Sequence, residues 1–169
     1  MIYNSFLTGS QNISDKCFTI KNVSQSGTYD LGVKLSCLLK QGDTILLKGD
    51  FGSGKTYFAR AFIKNRLLIN NAVVEDVPSP SFTIVQVYDT ISPNVWHIDL
   101  YRLTKECEVF ELGLEESFSS SICLIEWPDR LGKILPKRNI LILFEQSESN
   151  FDNRNITVEF SGEDWNHIY

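Results

Sequence analysis

Apolar residues recur along this chain at two spacings, and each spacing predicts one kind of element. Positions 26–40 and 57–68 carry apolar side chains three and four residues apart, which predicts two amphipathic helices. Positions 106–120 are also predicted to be helical, in two short pieces that are broken at Gly113. Shorter apolar or alternating runs predict strands at 17–23, 44–48, 73–77, 83–88, 94–100, 122–125, 140–144 and 156–160.

The order of these segments predicts the layers of the fold. Continuous apolar runs such as 122–125 are typical of strands that are buried on both faces. A turn around Ser92 and Pro93 joins two alternating runs and predicts a β-hairpin, whereas the alternation at 156–160 is interpreted as an edge strand. Strands that alternate with helices predict an α/β protein, a three-layer sandwich around a mixed, mostly parallel sheet.

Length, cysteines and charge narrow the domain organisation and the possible partners. The 169 residues fit one domain, which is predicted over 16–161, after a loose polar leader at 1–15 and before a C-terminal tail at 162–169. The four cysteines show no Cys-x-x-Cys spacing, which favours reduced thiols in a cytoplasmic protein. The net charge of −5 disfavours a general nucleic-acid surface. The sequence shows no secretory signal and no membrane-spanning run of about 20 apolar residues.

A glycine-rich motif lies between a predicted strand and a predicted helix. Residues 49–56 read Gly-Asp-Phe-Gly-Ser-Gly-Lys-Thr. The glycines permit turns that aim consecutive backbone N–H groups at one point, and the positive N-terminal end of the following helix adds to this anion site. Lys55 is expected in solvent beside the outer phosphates, and the Thr56 hydroxyl is a natural Mg²⁺ ligand. The flanking strand and helix disfavour a chance turn, so the motif predicts a P-loop NTPase fold with a bound nucleoside triphosphate and Mg²⁺.

Two carboxylates are candidates for the second half of this site. Glu126 directly follows the apolar run 122–125, a position from which a carboxylate usually holds Mg²⁺ or its waters. Capping of the strand, or pairing with a lysine, is the structural alternative for Glu126. Asp99 ends another predicted strand, and His97 lies on the same polar face. A plain salt bridge to Arg102 is the alternative for Asp99, and His97 alone is more often structural than catalytic.

Other nucleotide-binding classes fit the sequence less well. The chain lacks the Asn-Lys-x-Asp segment of a guanine-specific GTPase and the Leu-Ser-Gly-Gly type of helix of a transport ATPase. Small-molecule kinases usually place the phosphate loop at the N-terminus, whereas 48 residues precede it here. Such kinases also tend to carry an arginine-bearing lid, but the arginines after the loop are scattered along this chain.

Five motifs occur in an order that resembles a known family. They are Gly49 to Thr56, Ser79-Pro-Ser-Phe82, His97-Ile-Asp-Leu-Tyr-Arg102, Leu112-Gly-Leu114 and Ile125-Glu-Trp-Pro128. Together, over about residues 24–160, they resemble the TsaE family, formerly YjeE, the bacterial P-loop ATPases of tRNA threonylcarbamoyladenosine synthesis. One departure is Ser81, where the family usually has Thr. The hydroxyl is kept, but a methyl group that stiffens the side chain is lost.

The resemblance implies a role for each matching residue. Lys55, Asp99 and Glu126 are expected to act in catalysis, with Asp99 linked to ATP hydrolysis, and Thr56 with Glu126 is expected to bind Mg²⁺. The residues expected to bind ATP are Thr28, Gly49, Asp50, Phe51, Gly52, Ser53, Gly54, Lys55, Thr56, Tyr57 and Arg154. The residues expected to act as a switch or to couple to partners are Ser79, Ser81, His97, Tyr101, Arg102 and Trp127.

The resemblance also implies an activity and its partners. TsaE-like proteins act with TsaB and TsaD, and their ATP hydrolysis is thought to reset that complex between turnovers. The chain is therefore expected to be a Mg²⁺-dependent ATPase, weak alone and dependent on partners, in threonylcarbamoylation of the adenosine next to the tRNA anticodon. It is expected to contact tRNA only indirectly, through the complex, and to contact no membrane. A stand-alone small-molecule kinase with an acceptor pocket and a lid, and a nucleotide-dependent binding module without turnover, are the alternatives.

Overall fold

The computed structural model of this protein describes residues 17–74, 76–165 and 168, so the predicted leader at 1–15 lies outside the described residues. The strands are β1 (Cys17–Val23), β2 (Thr44–Gly49), β3 (Val85–Tyr88), β4 (Val95–Asp99), β5 (Ile122–Glu126), β6 (Asn139–Gln146) and β7 (Arg154–Ser161). The α-helices are α1 (Gln25–Leu38), α2 (Lys55–Ile69), α3 (Glu106–Glu111) and α4 (Leu114–Ser120). Two short 3₁₀ helices follow β5, at Pro128–Arg130 and Gly132–Ile134.

The strands form one seven-stranded sheet in the order β1-β7-β6-β2-β5-β4-β3. The pairs β6–β2, β2–β5 and β5–β4 are parallel, whereas β1–β7, β7–β6 and β4–β3 are antiparallel. Within the sheet only β3 and β7 therefore run against the other strands, which confirms a mixed, mostly parallel sheet. The antiparallel pairing of β3 with β4 confirms the predicted hairpin.

Two strand predictions are wrong. β7 was expected at an edge, but it lies between β1 and β6, and β1 takes the edge instead. The alternation at 156–160 arises because one face of β7 packs on the core while the other face carries polar residues, and this says nothing about its neighbours. The described residues of 73–77 form no strand. Val73 and Val74 are exposed there, and the Val77 carbonyl accepts from Arg60 rather than from a strand.

Two apolar cores, one on each face of the sheet, make the three layers. On one face, α1 and α2 bring Leu31, Leu35, Phe58 and Phe62 against inward side chains of β2, β5, β6 and β7. On the other face, α3 and α4 cover a second set of strand residues that includes Ile98, Cys123 and Ile125. The predicted three-layer sandwich is therefore confirmed.

Close packing of the two helices on the first face positions the site. A Cβ atom added to Gly32 in α1 would lie 2.9 Å from the Phe58 carbonyl oxygen of α2, so the helices touch where only glycine fits.

Trp165 and Ile168 are buried in the same core. The domain bounds predicted at 16–161 stay a prediction. In the described residues, every helix is too short or too polar to span a bilayer.

Candidate nucleotide-binding and active site

The phosphate-loop motif forms a tight turn between β2 and α2. Gly49 has a φ of +148°, and a Cβ atom there would lie 2.6 Å from the Phe144 carbonyl oxygen. Gly54, with a φ of +113°, is the N-cap of α2. The Ser53 hydroxyl is buried in the loop and has no hydrogen-bond partner among the described residues. The loop therefore has no room for a side chain at Gly49, and it lies at the positive N-terminal end of a helix, as an anion site requires.

Lys55 is folded back onto this loop. Its ammonium donates to the carbonyl oxygens of Gly49 at 2.7 Å and Asp50 at 2.8 Å, and it lies 4.2 Å from the centre of the Trp127 ring. Lys55 is only 4% exposed, so its expected position in solvent is wrong, because two carbonyls and an indole replace water around it. Desolvation lowers the pKa of Lys55, although attraction to nearby carboxylates, Glu126 first, opposes this. One of its three N–H donors remains for a ligand.

A hydrogen-bonded chain of three side chains runs from α2 into the sheet. Thr56 Oγ1 donates to Glu126 Oε2 at 2.9 Å, and His97 Nε2 lies 2.9 Å from Glu126 Oε1. Both His97 and Glu126 are buried. The carboxylate can only accept, so His97 must carry its proton on Nε2. Nδ1 of His97 is buried without a partner among the described residues.

Asp99 ends β4 beside Glu126 and holds the segment predicted to act as a switch. Its Oδ2 accepts from the Ser81 hydroxyl at 2.6 Å, and that hydroxyl lies 2.8 Å from the hydroxyl of Ser79. Oδ1 of Asp99 accepts from the Tyr101 backbone N–H at 3.0 Å. The alternative of a salt bridge between Asp99 and Arg102 does not occur among the ion pairs of the described residues.

Aromatic side chains cover this edge of the sheet. Phe51, Tyr101 and Trp127 form a cluster whose ring centroids lie between 4.6 and 5.2 Å apart. Phe51 is 67% exposed although it contacts both other rings. Phe82 is 83% exposed, and the Arg102 guanidinium lies 4.3 Å from the centre of its ring. Two predicted switch or coupling residues, Tyr101 and Trp127, therefore pack with Phe51 of the loop, and a third, Arg102, contacts the exposed ring of Phe82.

Two strained backbone positions lie next to the carboxylates. Ile84 has a φ of +66° and Trp127 a φ of +59°, values that β-branched and bulky side chains rarely adopt. The Ile84 carbonyl accepts from the Asp99 N–H at 2.9 Å, and Trp127 directly follows Glu126. At the other described positions outside glycine, positive φ occurs only at asparagine and aspartate, which tolerate it better. Such strain is typical of functional sites, and no motif in the sequence pointed to Ile84.

A cleft of about 470 Å³ opens beside the loop, between the start of α1 and the β6–β7 turn. Thr28, Tyr57 and Arg154, three of the predicted ATP-binding residues, line it. Thr28 is buried, and its hydroxyl donates to the backbone carbonyl of Ser24, the N-cap of α1. Asp152 and Asn153 also line the cleft. Sequence reasoning missed these two residues because polar turn residues are common and carry no motif.

The donor set at the loop fits Mg²⁺. Thr56 and Glu126 supply a hydroxyl and a carboxylate, hard oxygen ligands whose atoms lie 2.9 Å apart. The described residues hold no cluster of three or more His, Cys, Asp and Glu side chains that could bind a metal by itself. Mg²⁺ commonly takes one or two protein oxygens and completes its shell with phosphate oxygens and water. The site therefore suits a cation that arrives with a phosphate ligand.

Three comparisons relate the chain to known proteins. A sequence model of the family described as threonylcarbamoyl adenosine biosynthesis protein TsaE matches residues 22–156. A Rickettsia bellii protein named tRNA threonylcarbamoyladenosine biosynthesis protein TsaE is 36% identical over 142 residues, which are 84% of this chain and 95% of the relative. A Bacillus subtilis protein of the same name is 31% identical over 143 residues, 84% of this chain and 85% of that one. The crystal structure of Bacillus subtilis YdiB matches with a TM-score of 0.69 at 26% identity, over 89% of this chain and 90% of that one.

Proposed function

The chain belongs to the TsaE family of tRNA threonylcarbamoyladenosine biosynthesis proteins, and from this premise we propose that it binds ATP with Mg²⁺ and hydrolyses the ATP during that synthesis. The family predicted from the motifs is confirmed, and so is the P-loop NTPase fold class. The observation that carries the proposal is the series of hydrogen bonds from Thr56 through Glu126 to His97, because it brings two oxygen atoms that suit Mg²⁺ together at the phosphate loop.

The loop and the adjoining cleft support the proposed nucleotide site. Backbone N–H groups at the start of α2 and the remaining N–H donor of Lys55 are available to phosphate oxygens. The cleft lined by Thr28 and Tyr57 lies next to the loop and has the volume of a small-molecule site. We assign the nucleoside to this cleft and the phosphates to the loop, as the resemblance implied.

Thr56 and Glu126 are the proposed Mg²⁺ ligands. Mg²⁺ bound there would neutralise charge on the phosphates. His97 donates to the second oxygen of Glu126 and so fixes the plane of the carboxylate, which leaves Oε2 directed at the Thr56 hydroxyl. An outer partner of this kind commonly orients a metal ligand. We therefore assign His97 a positioning role, whereas its predicted switch role stays a prediction.

Asp99 is the proposed residue that orients the attacking water. Ser81 and the Tyr101 N–H each occupy only part of the acceptor capacity of one Asp99 oxygen, so both oxygens can accept a further hydrogen bond. The hydroxyl of Ser81 makes this contact without the methyl group of the family's usual threonine. The hydroxyls of Ser79 and Ser81 thereby link this segment to Asp99, which supports the proposed switch role of 79–82.

The burial of Lys55 under Trp127 supports the proposal that ATP hydrolysis depends on partner proteins. The Lys55 ammonium is held by loop carbonyls under Trp127, and Trp127 packs against the exposed ring of Phe51. A partner that binds Phe51 and Tyr101 would therefore contact rings that pack against Trp127, the side chain that covers Lys55. We propose TsaB and TsaD as these partners, with tRNA contacted through the complex. Hydrolysis by the chain alone would then be weak.

ATP turnover with and without partners tests the proposal. Phosphate release would be measured for the chain alone and with purified TsaB and TsaD, using the parent, Asp99→Asn and Asp129→Asn. Asp129 is an exposed carboxylate paired with Lys48, so its variant is the matched control. We expect stimulation by the partners, loss of turnover in Asp99→Asn and no change in Asp129→Asn. Transfer of phosphate to a small molecule without partners would favour the kinase alternative, and nucleotide binding without turnover the binding module.

A further inference from the structure

Arg154 contacts the phosphate loop through the backbone of the loop. It is the first residue of β7, where it is paired with Val23 of β1 and Gln146 of β6. Its Nε donates to the carbonyl oxygen of Ser53 at 3.1 Å, and its Nη2 donates to that of Gly52 at 3.2 Å. The end of the sheet and the middle of the loop are therefore joined by one side chain.

The other side of the same guanidinium binds the β6–β7 turn. Nη1 donates to the carbonyl oxygens of Phe151 and Asn153, both at 2.9 Å. These four hydrogen bonds leave one of the five N–H donors of Arg154. No ion pair of the described part of the chain includes Arg154, so no carboxylate there pairs with its charge. Arg154 thus bridges two backbone segments with a rigid planar group.

The contact with Ser53 has a consequence for the anion site. The Ser53 carbonyl and the Gly54 N–H belong to one planar trans peptide, so they point in opposite directions. By holding the oxygen, Arg154 directs the Gly54 N–H to the side away from itself. Gly54 has no side chain to restrict it and is the N-cap of α2, where backbone N–H groups bind anions. An outside contact therefore restricts the orientation of that peptide, and Arg154 supplies one.

We propose that Arg154 is a positioning residue that straps the phosphate loop to the β6–β7 turn and holds the Ser53–Gly54 peptide in its phosphate-binding orientation. This inference rests on the proposed ATP binding and adds to the direct nucleotide contact that the resemblance implied. A lysine at this position would keep the positive charge but could not bind two segments with one planar fork. Arg154→Lys therefore tests the geometry of this side chain separately from its charge.

Calorimetric titration with Mg²⁺ and ATP tests the strap. The variant is Arg154→Lys, and the control is Arg138→Lys, because Arg138 also donates to backbone carbonyls, those of Glu163 and Asp164, at the far end of β6. Arg138 differs from Arg154 in that it also pairs with the buried Asp43. We expect Arg154→Lys to weaken ATP binding about tenfold, since two loop hydrogen bonds are lost, and Arg138→Lys to bind within about twofold of the parent. Parent-like affinity in Arg154→Lys would overturn the strap.

Hydrogen exchange without nucleotide separates the strap from the proposed function. Amide exchange in a peptide that covers 49–56 would be compared between the parent, Arg154→Lys and Arg154→Met. We expect faster exchange in both variants, because the loop loses its tie to the turn, with unchanged exchange in the core strands. If the parent binds no ATP, the proposed function fails, and this measurement still decides the strap: unchanged exchange at 49–56 overturns it.

Discussion

The Thr56 hydroxyl donates to Oε2 of Glu126 at 2.9 Å, although 70 positions separate the two residues in the chain. The parallel pairing of β2 with β5 creates this contact, because it sets Leu47, near the end of β2, beside Glu126. The loop that follows β2 then returns the chain to Thr56 in the first turn of α2. The two proposed Mg²⁺ ligands are thus held by the sheet and a helix.

Glu126→Gln tests the proposed Mg²⁺ ligand. The amide keeps the shape of the side chain but removes the negative charge, so we expect the Mg²⁺-dependent part of ATP affinity to fall by at least about tenfold. The measurement is ATP titration in Mg²⁺ and in EDTA. Thr56→Ser keeps the hydroxyl and serves as the control that should retain Mg²⁺ dependence. Equal Mg²⁺ dependence in Glu126→Gln and the parent would place the cation elsewhere.

The sequence predicted those parts of this site that are marked by a local motif or by the end of a buried strand. The loop, Glu126 and Asp99 were all predicted because a motif or a buried run marks each of them, and parallel strands bring their carboxyl ends to one edge. The burial of Lys55 was not predicted. It depends on the Trp127 ring, which covers the Lys55 ammonium. The backbone of Trp127 has the strained left-handed conformation, which no sequence pattern indicates.

His97→Gln and His97→Ala test whether His97 positions Glu126. Glutamine can place an N–H donor near the position of Nε2, whereas alanine leaves the buried carboxylate oxygen without its donor. We expect His97→Ala to lower Mg²⁺-dependent ATP affinity about tenfold, the cost usual for a lost outer partner, and His97→Gln to recover part of it. Melting temperatures would show that both variants fold. Equal losses in the two variants would contradict the positioning role.

Lys55→Met tests the covered lysine. Methionine keeps an apolar stem under Trp127 but has no charge, so ATP affinity should fall about 100-fold while the fold is retained. The pKa of Lys55 is lowered in the folded protein, mainly by burial, so the folded state binds fewer protons than the unfolded state between the two pKa values. The stability of the parent relative to Lys55→Met should therefore rise as the pH approaches 10.5, the ordinary pKa of lysine.

Melting curves at several pH values, without nucleotide, would measure this difference. A parent that loses stability relative to Lys55→Met as pH rises would show that the carboxylates around Lys55 outweigh its desolvation.

The cysteines offer a test of the core that is independent of nucleotide. Cys37 and Cys107 are exposed, whereas Cys123 lies in β5 and burial raises its pKa to about 11. The thiolate is the reactive form, so at pH 8 a thiol reagent should label the two exposed cysteines quickly and Cys123 only after unfolding. Peptide mass spectrometry would assign the sites. Rapid labelling of Cys123 in the folded protein would contradict the packing of β5.

The two wrong strand predictions have different causes. Alternating apolar residues at 156–160 reflect one covered face, and the two valines at 73 and 74 are apolar but exposed. Periodicity reports which side chains are covered, whereas the partner of a strand is set by contacts distant in the chain, such as that between Cys17 and Glu159. The helices were predicted within a few residues because their signals are local.

Trp127→Ala tests whether the aromatic cover links the nucleotide site to partners. Trp127 lies over the Lys55 ammonium and contacts Phe51 and Tyr101, both of which are exposed. Aromatic side chains often dominate the energy of protein interfaces, so loss of this ring should uncouple the partners from the lysine. We expect the variant to fold and bind ATP, yet to fail in threonylcarbamoyladenosine synthesis reconstituted with TsaB and TsaD. Phe151→Ala, an exposed aromatic of the β6–β7 turn, is the control that should keep activity. Full multiple-turnover activity from Trp127→Ala would leave the ring with a packing role alone.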